Sequence, residues 1–128
     1  MEVKQISAAL GAEITNVDLA QVSDDQVEEI KSLLTEHKVI FFPGQKLSQD
    51  EHVEYGAKFG ELEGHPNLKN KTVTHPKIFE LAASSGGIAD EWHTDITFQD
   101  SPAIMSVLHM VKCPELGGDT MWSNLNAA

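Results

Sequence analysis

Glu91-Trp92-His93-Thr94-Asp95-Ile96-Thr97-Phe98 is the stretch on which the reading of this chain turns. Its aromatic and β-branched residues favour extended backbone and predict a strand over residues 92–98. On a strand, side chains two apart share a face. His93 and Asp95 then project together, with Thr97 beyond them, while Trp92, Thr94 and Ile96 face the other way. An imidazole nitrogen beside a carboxylate oxygen supplies two corners of a metal site. A second His from another strand would complete a two-His, one-carboxylate triad with open positions, which suits non-haem Fe(II). Taken alone, His93-Thr94-Asp95 is weak evidence for a metal and fits better a His–Asp hydrogen bond on an ordinary strand.

Outward from this stretch the chain reads as one α+β unit, mainly β, over residues 1–128. Further strands are predicted at about 103–111 and about 119–122, with Gly117-Gly118 as the turn between them, and a short one at 78–81. Met105, Met110 and Met121 are expected to fill gaps in packing. Upstream, residues 1–6 and 12–19 read as short strands with Gly11 as the turn before the second. Val39-Ile40-Phe41-Phe42 reads as a buried strand stopped by Pro43-Gly44, with both Phe residues in the core. Ser23-x-x-Gln26 and Ser48-x-x-Glu51 fit capping boxes that open two helices. The first carries Val27, Ile30 and Leu34 at helical spacing; the second carries Val53, Tyr55 and Ala57 and ends by Gly60. Ser123 reads as the N-cap of a last helix, whose first turn would be Asn126-Ala127-Ala128. An αβ start followed by a run of strands suggests a β-sandwich or barrel core.

Composition narrows the function classes. Twenty acidic residues against nine basic ones give a formal net charge of -11, and every basic residue is Lys. Such a chain is a poor partner for nucleic acid or for an anionic membrane surface. No apolar run approaches the ~20 residues that span a bilayer. The N-terminal residues lack the apolar stretch of a signal peptide, and Cys113 has no partner for an internal disulfide. A cytoplasmic location is the expectation.

The stretch and its neighbours together resemble the taurine dioxygenase-like family of iron(II)/2-oxoglutarate-dependent dioxygenases. The matching pieces run in order: Gly11-Ala12-Glu13-Ile14 with Asp18-Leu19; His37-Lys38-Val39-Ile40-Phe41-Phe42 with Gln45; Phe59-Gly60-Glu61-Leu62; His65-Pro66; Trp92 to Phe98 with Pro102-Ala103; and Gly117-Gly118-Asp119-Thr120-Met121-Trp122. The resemblance implies a partial double-stranded β-helix, part of a jelly roll with the N-terminal helices packed outside. It implies His93 and Asp95 as iron ligands, Thr120 as a hydrogen-bonding partner of 2-oxoglutarate, and His65 at the anionic group of a small substrate. Fe(II), with 2-oxoglutarate and O2 as co-substrates, would support hydroxylation of a sulfonate, sulfate ester or carboxylate, with succinate and CO2 as co-products.

The departures from the family pattern carry information. The tyrosine that follows the His-Pro pair in the taurine enzyme is Leu68 here, and its substrate-contacting asparagine is Ala89. Both changes favour a more apolar alkyl substrate. The family's second His ligand and its 2-oxoglutarate arginine have no counterpart, and Lys does not reproduce bidentate Arg geometry. His109, in the next strand, is the nearest substitute in sequence. His37, His52 and His75 read as solvated surface residues. The expectation is the N-terminal portion of a longer domain, inactive alone and covered by a second copy or by the missing half. A non-catalytic binding or assembly module that keeps the first half of the fold is the alternative, and a zinc hydrolase has less support, since no H-E-x-x-H is present.

Overall fold

The computed structural model describes residues 1–63, 75–81, 90–95 and 97–128. Strand β1 (Glu2–Gln5) pairs antiparallel with β2 (Ala12–Thr15), Val3 standing opposite Ile14. Gly11 makes the turn between them possible. Its φ of +97° is open to glycine, and its N–H donates to the His37 carbonyl at 2.8 Å. Helix α1 (Asp24–His37) then carries the chain across to β3 (Ile40–Phe41), which lies parallel to β2 in the sheet order β1-β2-β3.

The second strand is shorter than its sequence pattern. It stops at Thr15 because Asn16 takes a left-handed φ of 56°. Asp18 then caps a single 3-10 turn, Leu19–Gln21, by accepting from the Ala20 N–H. Gln45 fastens this turn from 26 and 28 residues away. Its Oε1 accepts from the Leu19 N–H at 3.1 Å, and its Nε2 donates to the Val17 carbonyl at 2.9 Å.

Both capping boxes form. Ser23 and Gln26 satisfy each other's backbone N–H groups at the start of α1, and Ser48 and Glu51 do so at α2 (Gln49–Ala57). Hydrogen bonds from the Ser48 backbone and hydroxyl hold the Glu51 carboxyl below its ordinary range. Between the helices lies the core: Leu19, Val22, Val27, Ile30, Tyr55 and Phe59. Tyr55 stacks edge-on with Phe59 at 5.1 Å and with Phe42 at 6.5 Å. Burial pushes its phenol up to about 12. Ile40 and Phe42 pack against this cluster. Phe41 is exposed, because alternation turns it to the opposite face, so only one of the two phenylalanines joins the core.

The C-terminal third departs further from expectation. Among the described residues, 78–81, 92–95, 97–98, 103–111 and 119–122 join no strand ladder. The described residues therefore show a small three-stranded sheet and two helices, and not the mainly β content or the further strands of a partial jelly roll. Propensity marks a segment as fit for a pleated surface, but a ladder needs a neighbouring strand to exchange hydrogen bonds. The alternation is nevertheless legible at 104–110. Met105, Val107 and His109 are half-buried, and the residues between them are exposed. Met105 and Val107 pack on the core cluster, and His52 of α2 hydrogen-bonds the Val107 carbonyl at 3.0 Å. Met110 and Met121 are exposed and fill no gap. The last turn is capped by Asn124 rather than Ser123: its Oδ1 accepts from the Asn126 N–H, and its Nδ2 donates to the Ala9 carbonyl.

Candidate metal centre

His93 and Asp95 come together. Their Nε2 and Oδ1 atoms are 3.5 Å apart, with the side chains 59% and 57% exposed. Same-face projection explains this, although the segment bends at Asp95 and turns at 97–98 instead of continuing as a strand. That turn swings Thr97 over to Thr94, whose hydroxyl it meets. Thr97 therefore leaves the face it was expected to share with the pair.

Two further contacts fix which atoms face each other. His93 Nδ1 lies 2.9 Å from the Glu91 carbonyl. A carbonyl only accepts, so Nδ1 carries the proton in this bond and Nε2 is left with a lone pair when the ring is neutral. On the other side, Ser106 Oγ donates to Asp95 Oδ2 at 2.9 Å. That leaves Oδ1 turned toward the imidazole. Two lone-pair atoms facing each other at 3.5 Å can share an electrophile between them. A proton on Nε2 makes the pair a His–Asp ion pair; a divalent cation makes it a chelate.

The donor set fits a metal. Bonds of ~2.1 Å place neighbouring donors ~3.0 Å apart at a right angle and ~3.4 Å apart at the tetrahedral angle. The observed 3.5 Å is closed by a small rotation of either exposed side chain. One imidazole and one carboxylate suit first-row ions such as iron or manganese. Among the described residues no group of three His, Cys, Asp or Glu side chains converges on a point, so a third protein ligand is not supplied there.

The other histidines are elsewhere. His52 is half-buried, correcting its reading as a solvated residue, and its ring meets His109 edge-on at 5.7 Å. That contact gives His109 a packing role against α2. His37 is half-buried at the end of α1. His75 is half-buried and accepts from the Lys77 N–H through Nδ1. Thr120 is exposed on the segment that follows Gly117-Gly118. His65, Leu68 and Ala89 lie outside the described residues.

Sequence reasoning missed Ser106, the Glu91 carbonyl and the His52–Val107 contact. Only the first had a signal: Ser106 is the polar interruption in the apolar run Ile104-Met105-Ser106-Val107-Leu108.

The paired donors sit inside a chain that matches the taurine catabolism dioxygenase TauD, TfdA family over residues 2–128. This chain belongs to the TauD/TfdA family. An alkylsulfatase of Acinetobacter baylyi is 39% identical over 133 residues, covering 100% of this chain and 41% of the relative. An alpha-ketoglutarate-dependent sulfate ester dioxygenase of Pseudomonas putida is 38% identical, covering 100% of this chain and 43% of the relative. The solved taurine dioxygenase of Burkholderia xenovorans superposes with a TM-score of 0.52 at 38% identity, over 59% of this chain and 27% of that one. This TauD/TfdA chain thus spans less than half the length of the curated relatives it matches. Among its described residues, no helix is long and apolar enough to cross a membrane.

Proposed function

We propose that this chain is the N-terminal portion of an Fe(II)- and 2-oxoglutarate-dependent dioxygenase that hydroxylates an alkyl sulfate ester. The observation that carries the reading is the opposition of His93 Nε2 and Asp95 Oδ1 at 3.5 Å. His93 and Asp95 would hold the ferrous ion, which supplies activation of O2 when bound. Thr120 would hydrogen-bond 2-oxoglutarate, and His65 would meet the anionic group of the substrate. Leu68 and Ala89 replace polar contacts with apolar surface, which suits an alkyl chain. The two relatives named for sulfate esters support the same substrate class. Hydroxylation of the carbon that bears the ester oxygen gives a hemiacetal-like sulfate, which breaks into an aldehyde and inorganic sulfate. Succinate and CO2 are the co-products.

Two donors bind iron weakly, since affinity comes from several ligands in fixed geometry. The second His and an Arg for the 2-oxoglutarate carboxylate would come from sequence beyond Ala128. The exposed side chains of Ile104, Leu108, Met110 and Val111 form apolar surface that this remainder, or a second copy, would cover. The test has two parts. The reading frame past codon 128 is expected to encode a His and an Arg. The protein it encodes is expected to form succinate from 2-oxoglutarate with a medium-chain alkyl sulfate faster than with taurine. A stop codon there, or no substrate-dependent succinate, would overturn the reading; a preference for taurine would overturn the substrate class.

A further inference from the structure

The segment 104–110 is held from behind by α2 and faces the metal pair in front. Met105 and Val107 are packed on the core cluster. The Val107 carbonyl, an acceptor only, takes a hydrogen bond from the Nε2–H of His52 at 3.0 Å. On this extended chain the next side chain back, Ser106, points the opposite way. Its hydroxyl donates to Asp95 Oδ2 at 2.9 Å, across 11 residues of sequence. A continuous line of contacts therefore runs from helix α2 through His52, Val107 and Ser106 to the carboxylate.

We infer that Ser106 is a positioning residue that holds Asp95 as a one-oxygen ligand, with Oδ2 tied back and Oδ1 presented beside His93. The inference rests on the metal-site reading of His93 and Asp95. A carboxylate has two equivalent oxygens and can bind a cation through one or through both. Tying Oδ2 to a hydroxyl leaves one oxygen for the ion. With an ion bound, this would leave room for a 2-oxoacid to chelate it. Ser106 acts through the orientation of Asp95, to which its hydroxyl is bonded. His52 in turn fixes the backbone from which Ser106 projects, so the outer helix is tied to the geometry of the ligand.

The test uses Co(II) as the probe, with its visible spectrum giving both affinity and coordination. Ser106→Ala is expected to bind Co(II) about 10–100-fold more weakly, the usual cost of losing an outer hydrogen bond to a ligand. Its band shape at saturation is also expected to change, as Asp95 becomes bidentate. Ser106→Thr keeps the hydroxyl and is expected to retain the wild-type spectrum. Equal affinity in Ser106→Ala, or a loss of affinity with an unchanged band and a matching drop in stability toward urea, would overturn the positioning role. Co(II) binding that survives both His93→Ala and Asp95→Ala would overturn the underlying metal site instead, so the two failures are told apart.

Discussion

Ile30→Ala measures how much the N-terminal frame depends on its core. Ile30 is 1% exposed and sits among Leu19, Val22, Val27, Tyr55 and Phe59. The substitution removes three carbons, worth about 2.4 kcal/mol at ~0.8 kcal/mol per buried methylene. The cavity left between two helices adds to this, which brings the expected loss to about 3–4 kcal/mol. A small domain has only ~0.05–0.15 kcal/mol of stability per residue. Ile30→Ala should therefore remove a large share of the total, whereas Ile30→Val should cost ~1 kcal/mol. Leu116→Ala is the control: its side chain is exposed and lies outside the patch proposed to be covered, and the change should stay within about 0.5 kcal/mol. Urea unfolding followed by far-ultraviolet circular dichroism compares the three. Equal midpoint shifts for Ile30→Ala and Leu116→Ala would refute the placement of the core. Because α2 belongs to this core and holds Val107 through His52, Ile30→Ala should also loosen the segment that carries Ser106.

Ser48→Ala should destabilise the chain by about 1 kcal/mol through loss of the α2 cap. It should also reduce, without abolishing, the acid sensitivity that comes from Glu51: the hydroxyl bond is lost while the backbone N–H of residue 48 still holds the lowered carboxyl, whose contribution to the fold is present above pH ~4.5 and is lost as pH falls; paired acid titrations of wild type and variant check both. Tyr55 is the single tyrosine of the chain, so phenolate absorbance reports it alone. Its phenol is pushed up to about 12, so its contribution to stability is complete below pH ~10 and is lost as pH rises toward 12. Ionisation near pH 10 with the fold intact would contradict its burial. Gly118→Ala should cost ~1 kcal/mol or more, because φ is +71° and a Cβ would stand 3.1 Å from Pro114 Cγ; thermal melting of the variant measures it.

The sequence made the helices legible because capping boxes and apolar spacing are local signals. Ser23 with Gln26, and Ser48 with Glu51, do what their side chains dictate with no help from tertiary structure. The pair His93 and Asp95 was legible for the same reason: two residues on an extended segment need only each other. The strands over 92–98, 103–111 and 119–122 were not a local matter, since their hydrogen bonds depend on neighbours that the described residues do not place beside them. Gln45 bonding Leu19 and Val17, and Ser106 bonding Asp95, are side-chain contacts across long loops. Nothing in a linear pattern announces them until the chain is folded. His52 was misread because an outer helix face becomes a half-buried one once residues 105–109 lie across it.

The most direct measurement of the central idea is a Mn(II) titration of the chain, watched in nuclear magnetic resonance spectra of its histidine rings. Paramagnetic broadening is expected first at His93, together with the amides of residues 93–95 and Ser106, and later or not at all at His52 and His109. Broadening that begins at the His52–His109 contact or at Asp24 and Asp25 in the first turn of α1, with His93 still sharp, would contradict the account.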